Sequence, residues 1–307
     1  MRVVFFGTPA FAVPSLRALL DENLTVEAVV TQPDRAQGRS RSELIASPVK
    51  EEALTLGLPV LQPERPAGDL FVAGLKRFAP ELGIVVAYGH ILRPEILGIP
   101  THGMINVHAS LLPRHRGAGP IQGAILAGDS RTGVTIMQMD EGMDTGAMLH
   151  AANTPILPGE TAGSLAERLA DLGARALVET IGLMRDGALR PVAQEEAAAT
   201  LAPKLSRDAA RIDWTQGADV VARGIRAYDP SPGAWSLLNG AAMKLFGPMP
   251  LPEEGRPGEV LRTVPELVIG TGNGVVSIAE VQPAGRRRMT ARDWVRGRHP
   301  GDEGQFR

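Results

Sequence analysis

Three polar side chains follow apolar runs that are typical of buried strands. Asn106 and His108 stand two residues apart near the end of the run 104–108, so in a strand both point to one face of the sheet. Asp144 comes after the apolar run 135–139, in the loop Asp-Glu-Gly-Met-Asp-Thr-Gly. An amide can donate to a developing oxyanion, an imidazole exchanges protons near neutral pH, and a carboxylate can orient and charge that imidazole. The set suits direct group transfer between two bound substrates.

Each of these residues has a simpler interpretation. A lone His near a strand end is often a hydrogen-bonded structural residue, and carboxylates four apart, Asp140 and Asp144, are often a solvated turn. Their spacing is not that of an EF-hand calcium loop, so we expect no metal. The first strand–helix junction, at Gly7, lacks the further glycines of a dinucleotide-binding loop. The basic residues 114–116 before Pro120 fit either an anion site at a helix start or solvated charge.

The elements that position these side chains alternate between strand and helix over the first 190 residues. Alternation of this kind predicts βαβ units, a mostly parallel sheet, and ligands at the carboxyl ends of its strands. Strands are predicted at 2–6, 25–31, 59–61, 82–88, 103–107 and 132–139. Helices are predicted at 10–21, 47–57, 68–78, 119–127 and 161–186.

The sequence pattern changes near residue 187. Residues 188–205 have no clear period and read as a linker, and 206–228 are predicted to be mostly helical. Beyond them, short strands alternate with Gly/Pro turns, including Asn239-Gly240, a strong hairpin signal. Short strands at this spacing suggest a small barrel. We therefore expect an α/β domain at 1–187, a linker at 188–205 and a barrel-like domain at 206–307.

Composition narrows the class of protein. A chain of 307 residues with 44% hydrophobic and 21% charged residues is ordinary for a globular protein of two domains. It has no Cys, which excludes disulfides and thiolate chemistry and suits the cytoplasm. The apolar start is interrupted at Gly7, which favours a strand over a signal peptide, and no apolar run approaches a membrane span. With a net charge of −2, nucleic-acid binding would depend on local basic patches.

Several motifs together resemble the folate-dependent formyltransferases. Asn-Val-His at 106–108, Ser-Leu-Leu-Pro-Arg at 110–114 and Asp144 in Gly-Met-Asp-Thr-Gly match the signature of that superfamily. Other segments look like its methionyl-tRNA formyltransferase branch, and they extend the resemblance over nearly the whole chain. They include Gly7-Thr8-Pro9, Thr31-Gln32-Pro33-Asp34-Arg35, Ser47-Pro48-Val49-Lys50, Val86-Ala87-Tyr88-Gly89, the stretch 133–139, Lys204-Leu205, Arg211-Ile212-Asp213-Trp214 and Gln282-Pro283-Ala284-Gly285.

The resemblance implies a reaction and site residues. It implies transfer of formyl from 10-formyltetrahydrofolate to the amino group of initiator methionyl-tRNA, with Asn106, His108 and Asp144 as catalytic residues. Asn106 and a protonated His108 would stabilise the oxyanion, and Asp144 would raise the pKa of His108. The residues implied in folate binding are Ser110, Leu111, Leu112 and Pro113, with Val86, Ala87, Tyr88, Gly89 and Asp140 nearby.

The same resemblance implies a tRNA surface and a Rossmann-like domain followed by a barrel resembling the OB fold. The loop 35–45 inserts into the acceptor arm in this family, but here Glu43 interrupts its basic residues. The candidate tRNA-binding residues are Arg35, Arg39, Arg41, Lys204, Arg286, Arg287 and Arg288. We expect a cytoplasmic monomer. The competing interpretations are an amino-sugar formyltransferase and a non-catalytic folate- or RNA-binding protein.

Overall fold

The computed structural model describes residues 1–37, 43–263, 266–296 and 304–307. The chain divides into two compact units. The first comprises Met1–Pro120, Thr132–Thr154 and Ala166–Leu201. The second comprises Ile121–Arg131, Pro155–Leu165 and Ala202–Arg307. The division means that the segment predicted as a linker contributes residues as far as Leu201 to the first unit.

Seven strands form the main sheet, which is built around the first unit. The strands before residue 160 are β1 (Arg2–Gly7), β2 (Thr25–Val30), β3 (Arg35–Gln37), β4 (Glu43–Ile45), β5 (Val60–Leu61), β6 (Leu82–Val86), β7 (Met104–His108), β8 (Arg131–Gln138) and β9 (Met148–Pro155). Their order in the sheet is β5-β2-β1-β6-β7-β8-β9, while β3 and β4 pair as a separate hairpin. From β5 to β7 every pairing is parallel, and β8 runs antiparallel to β7.

Burial explains why the central strands have so few polar residues. All five residues of β6 are buried, as are the last five of β1. A parallel strand between helical layers is covered on both faces, so its sequence is an apolar run and not an alternation. The polar Asn106 and His108 on the neighbouring β7 are therefore exceptions to the local pattern.

Eight α-helices accompany these strands in the described part of the chain. They are α1 (Val13–Asp21), α2 (Pro48–Thr55), α3 (Asp69–Lys76), α4 (Pro94–Leu97), α5 (Pro120–Ala127), α6 (Ala162–Arg185), α7 (Ala218–Ala227) and α8 (Ala291–Arg296). Short 3-10 turns cover Ala10–Ala12 and Glu196–Ala198. The start of α2 shows how the sequence defines a boundary: Pro48 follows Ser47, whose hydroxyl accepts the backbone N–H of Lys50 at 3.1 Å.

The second unit contains an antiparallel sheet of short strands. They are β10 (Trp235–Leu238), β11 (Ala241–Leu251), β12 (Val260–Arg262), β13 (Leu267–Gly270), β14 (Val275–Pro283) and β15 (Met289–Thr290). The order is β10-β11-β14-β13-β12, with β15 also paired to β14. The core includes Trp214, Ile225 and Leu245, packed with the sheet's inner face. Asn239 and Gly240 connect β10 to β11 with φ of 51° and 81°, the left-handed pair that a tight hairpin turn needs.

The predicted fold class is confirmed: a mostly parallel α/β sheet is followed by a small antiparallel sheet consistent with a barrel. Several details of the sequence prediction are wrong, and β3, β4, α4 and α8 were not predicted. Helix was predicted for 206–228, but only Ala218–Ala227 is helical. Residues before it form turns, and Ile212 instead donates its backbone N–H to Trp235 at 2.8 Å. Strand β9 was missed, because its alternating, half-polar sequence follows a long loop.

Two glycine substitutions test this packing. Gly133 lies in β8, where an added Cβ would overlap the carbonyl oxygen of Ala152 in β9. Gly133→Ala should therefore destabilise the protein by about 1–3 kcal/mol, the usual cost of overpacking. Gly182→Ala in α6 meets nothing within 4 Å and should stabilise by about 0.5–1 kcal/mol, because Ala loses less backbone entropy in a helix. Denaturant unfolding measures the change in the free energy of unfolding for each variant. If Gly133→Ala were as stable as Gly182→Ala, the close approach of β8 to β9 would be contradicted.

Candidate active site

Strand β7 presents the two residues that begin the site. Asn106 is half-buried and His108 is 5% exposed. Across the antiparallel pairing with β8, Asn106 lies opposite Met137 and His108 opposite Thr135. On the other side β7 pairs with β6 in parallel register. The backbone that carries both side chains is thus held by β8, and at Asn106 also by β6.

Asp144 reaches this pair by a route that the sequence did not show. We expected its position after a strand end to bring it to the carboxyl end of β7. Because β8 is antiparallel to β7, the carboxyl end of β8 lies beside the start of β7, with Gln138 opposite Ile105. The loop 139–147 then turns back, and the backbone N–H of Gln138 donates to Ala147 at 2.9 Å. The sequence predicted that Asp144 lies near Asn106 and His108, but the returning loop, and not the end of β8, brings it there.

The carboxylate of Asp144 lies between three groups. Its Oδ1 is 3.4 Å from Nδ2 of Asn106, which donates to it. Its Oδ2 accepts the backbone N–H of Gly117 at 2.8 Å and lies 3.6 Å from Nδ1 of His108. The three residues proposed from sequence therefore form one cluster. Gly117 is an additional member, and its contribution is a backbone donor that no side-chain pattern reveals.

The other nitrogen of His108 is engaged on the opposite side of the ring. Nε2 lies 3.0 Å from the carbonyl oxygen of His115. A carbonyl can only accept, so Nε2 carries a proton. His115 has a φ of 60° and is itself buried, and its N–H donates to the hydroxyl of Thr200 at 2.8 Å. In the neutral ring, Nδ1 is then the basic nitrogen.

Burial decides the charge of His108. The pKa of His108 is lowered from its ordinary value, chiefly because burial removes water from the charged form. The carboxylate of Asp144 and the carbonyl of His115 raise this pKa, and the imidazole of His115 lowers it, but desolvation exceeds both favourable effects. We expected Asp144 to keep His108 charged; that expectation is corrected, because the opposite charge only partly offsets burial. His108 is neutral at pH 7.

The segment 110–113 is tied to β8. Thr135 donates its hydroxyl to the carbonyl of Ser110 at 2.7 Å and accepts the N–H of Leu112 at 3.1 Å. The hydroxyl of Ser110 donates to the carbonyl of Arg114 at 2.6 Å. Ser110 and Leu112 are buried, whereas Leu111 and Pro113 are half-buried. The partly exposed surface of this segment is therefore apolar.

Residues 86–89 turn sharply after β6. Val86 and Tyr88 are buried, while Ala87 and Gly89 have φ of 47° and 85°. The carbonyl of Tyr88 accepts from Thr8 at 3.0 Å and from Gln32 at 2.9 Å. Burial raises the pKa of the Tyr88 phenol to about 12, so this hydroxyl stays neutral.

Asp140 is exposed and belongs to the same loop as Asp144. Its Oδ1 accepts the N–H of Gly142 at 3.0 Å and the hydroxyl of Thr145 at 2.7 Å. These bonds shape the loop through one of the two carboxylate oxygens. In the described residues no cluster of three or more His, Cys, Asp or Glu could hold a metal ion.

The candidate tRNA-binding residues differ in their surroundings. Arg35 is exposed and donates to Gln32, and Lys204 is exposed in the second unit. Arg286 and Arg287 are exposed at the turn after β14. Arg39 and Arg41 lie outside the described residues.

Arg288 differs from its two neighbours because its guanidinium is already occupied. It pairs with Asp229 at 2.9 Å and with Glu280 at 2.5 Å, and it lies 3.9 Å above the ring of Phe246. The Asp229 carboxylate in this pair is buried. Arg288 therefore has a structural role in the second unit that the sequence did not indicate.

The sequence also missed residues that support the site. Arg116, interpreted as an anion site or as solvated charge, is only 4% exposed and pairs with Glu196 at 2.8 Å. Gln194 donates to the carbonyls of Asp144 and Gly146, both at 2.8 Å. These contacts link positions about 50 to 80 residues apart in the chain, so no local spacing could reveal them.

Comparison with known families identifies the class. A family model described as "Formyl transferase" matches residues 1–181, and one described as "Formyl transferase, C-terminal domain" matches 204–299. Together they cover most of the chain, including the part that carries Asn106, His108 and Asp144. The fold and the site thus define a formyl transferase.

Curated relatives refine this class. The chain is 45% identical over 301 residues to the methionyl-tRNA formyltransferase of Roseiflexus sp. (strain RS-1), covering 97% of this chain and 92% of the relative. It is 46% identical over 308 residues to that of Thermobifida fusca (strain YX), covering 100% and 99%. The chain belongs to the methionyl-tRNA formyltransferase family.

Solved structures show the same fold at lower identity. HypX from Aquifex aeolicus, in complex with tetrahydrofolic acid, matches with a TM-score of 0.68 and 21% identity over 100% of this chain. This chain spans only 51% of HypX. WlaRD, a sugar 3N-formyl transferase, matches with a TM-score of 0.69 and 16% identity over 94% of this chain and 99% of its own. No described helix is long and apolar enough to cross a membrane.

The charge balance at His108 leads to a pH prediction. In an imidazole NMR titration, His108 should titrate below the ordinary value of about 6.5. Asp144→Asn should move its pKa further down, because the neutral amide no longer stabilises the imidazolium. Asp140→Asn, in the same loop but directed to Gly142 and Thr145, should leave the titration unchanged. An upward shift in Asp144→Asn would show that the carboxylate does not act on His108.

Proposed function

We propose that this protein transfers the formyl group of 10-formyltetrahydrofolate to the free amino group of initiator methionyl-tRNA, giving N-formylmethionyl-tRNA. The observation that carries the proposal is the cluster of Asn106, His108 and Asp144, within a chain that matches methionyl-tRNA formyltransferases over nearly its full length. Formyl transfer to an amine needs a donor for the carbonyl oxygen and an acceptor for the amine proton, and the cluster offers both.

Asn106 is suited to stabilise the negative charge that develops on the formyl oxygen. Its side-chain amide has two hydrogens, and the long 3.4 Å contact with Asp144 engages only one. The other can be donated to the oxygen when the amine attacks. One such donor is typically worth roughly 3 kcal/mol of transition-state stabilisation.

His108 is suited to accept the proton that the amine must lose. It is neutral in the free protein, and its Nε2–H is held by His115, so the proton would go to Nδ1. The carboxylate of Asp144, 3.6 Å from Nδ1, would stabilise the imidazolium that forms. The proton is then available to the departing folate nitrogen, so charge is balanced over the whole transfer.

The residues implied in folate binding have surfaces that fit a flat, partly apolar ring system. Leu111 and Pro113 are half-buried and apolar, and their neighbours Ser110 and Leu112 are hydrogen-bonded to Thr135. Asp140 is exposed, and its second carboxylate oxygen can accept ring N–H groups. In this proposal the turn 86–89 contributes backbone groups, because the side chains of Val86 and Tyr88 are buried.

For tRNA, we propose that exposed arginines contact phosphates in both units. Arg35 with Arg39 and Arg41 would act from the loop 35–45, and Lys204, Arg286 and Arg287 from the second unit. Arg288 is assigned to shaping the turn that presents its neighbours, since its guanidinium is already paired.

Functionally the chain divides into a catalytic domain at 1–187, a connecting segment at 188–205 and a tRNA-binding domain at 206–307. The protein acts as a cytoplasmic monomer.

The first test is activity with matched variants. Purified protein should formylate charged initiator tRNA with 10-formyltetrahydrofolate and should leave UDP-amino sugars unmodified. Asn106→Ala should lower kcat about 100- to 1000-fold, the usual loss for an oxyanion donor. Asn23→Gly, at an exposed residue with a φ of 54° that Gly adopts readily, should retain full activity.

Two outcomes would count against the proposal. Formylation of the amino sugar but not of tRNA would favour the competing sugar enzyme. Near-normal turnover in a folded Asn106→Ala protein would remove this cluster from the chemistry.

The second test separates phosphate contacts from structural arginines. Arg286→Ala and Arg287→Ala should each flatten the plot of log affinity against log salt by somewhat under one unit, by counterion release. Their melting temperatures should not change. Arg288→Ala should instead destabilise by about 1–3 kcal/mol, because it leaves the buried carboxylate of Asp229 without its partner. A salt slope that is identical in Arg286→Ala and wild type would exclude that contact.

A further inference from the structure

The segment 188–201, which follows α6, runs along the edge of the site. Val192 and Met148 exchange two backbone hydrogen bonds of 2.8 Å, just after the Asp144 loop. Farther along, Thr200 accepts the backbone N–H of Arg116 at 2.8 Å and, through its hydroxyl, that of His115. The segment therefore holds both walls around His108: the loop with Asp144 and the turn with His115.

Gln194 lies between these two attachments and uses both ends of its amide. Nε2 donates to the carbonyls of Asp144 and Gly146, each at 2.8 Å, so both amide hydrogens are used. Oε1 accepts Nε–H of Arg116 at 3.0 Å. Both amide hydrogens and the amide oxygen of Gln194 thus bind residues around the cluster.

The backbone that Gln194 holds needs an external support. Asp144 has a φ of 55°, a left-handed conformation that costs free energy in a residue other than Gly. At Gly146 an added Cβ would overlap the carbonyl oxygen of Gln138. The loop is thus pressed close to β8 in a conformation that its own residues do not favour, and the two bonds from Gln194 fix it there.

Arg116 in turn orients Gln194. Its guanidinium is almost fully buried and forms a two-pronged pair with Glu196, at 2.8 and 2.9 Å. With Oε1 taken by Arg116, the amide can present only its nitrogen to the loop. Glu196 is 79% exposed, so its ion pair is screened by water and contributes little by itself.

We propose that Gln194 is a positioning residue for formyl transfer: its amide fixes the Asp144 loop, and so sets the distance of that carboxylate from His108 and Asn106. The role rests on the proposed function. Displacing a reacting or charge-stabilising group by about 1 Å can lower a rate roughly 100-fold. A loop held by two hydrogen bonds from one side chain is open to such a displacement.

The test uses two substitutions that keep the side chain's length. Gln194→Met removes every hydrogen bond, whereas Gln194→Glu keeps the acceptor for Arg116 and loses both donors to the carbonyls. Both should lower kcat by about 10- to 100-fold, with KM for folate and tRNA unchanged, because the defect lies in geometry and not in binding. Both substitutions should shift the pKa of His108 in the imidazole titration. In Gln194→Met the shift should be downward, as in Asp144→Asn, because the carboxylate of Asp144 is no longer held beside the ring.

Glu195→Gln is the matched control, because it removes an exposed carboxylate from the same segment without touching the pair of Arg116 and Glu196, and it should leave kcat and the titration near wild type. Thermal unfolding shows which variants are folded. If Gln194→Met does not fold, the result for Gln194→Glu decides the proposal. Normal kcat in folded Gln194→Glu, or a lowered melting temperature with unaltered kcat and His108 titration, would overturn the proposal. If the wild type formylates no tRNA yet Gln194→Met shifts the titration, the proposed function fails while the positioning of Asp144 stands.

Discussion

The carboxylate of Asp144 lies against the buried imidazole of His108, and contacts from several separate segments of the first unit hold it there. Its oxygens contact Asn106, His108 and the backbone N–H of Gly117. A carboxylate in such a place loses hydration and must recover it as hydrogen bonds. Asn106 and the backbone N–H of Gly117 supply those hydrogen bonds, while Gln194 binds the backbone carbonyl of Asp144, whose φ is left-handed.

The same burial sets the reactivity of His108. Water removed from around the ring favours the neutral form, while the nearby carboxylate favours the charged one, and desolvation is the larger effect. The result is an imidazole that is neutral at rest but has a stabilising anion beside the nitrogen that would receive a proton. For the proposed formyl transfer, this arrangement fits a group that takes up charge during the reaction better than one that carries charge throughout.

The second unit uses charge differently. Arg286 and Arg287 are exposed, whereas the next residue, Arg288, is held by two carboxylates over the ring of Phe246. Three consecutive arginines look equivalent in the sequence, yet the third is paired with two carboxylates of its own chain. In the proposed function, an internal ion pair that fixes the turn would reduce the entropy lost when Arg286 and Arg287 bind phosphate.

The sequence by itself determined the α/β alternation, the hairpin at Asn239-Gly240 and the three catalytic candidates, because each depends on periodicity or on short motifs with a local physical cause. Tertiary structure alone decided how Asp144 reaches His108, since the direction of β8 depends on sheet pairing. It also decided the neutral state of His108 and the contacts of Gln194, Arg116 and Arg288. These depend on desolvation and on contacts between residues far apart in the chain, and neither quantity is present in the local order of residues.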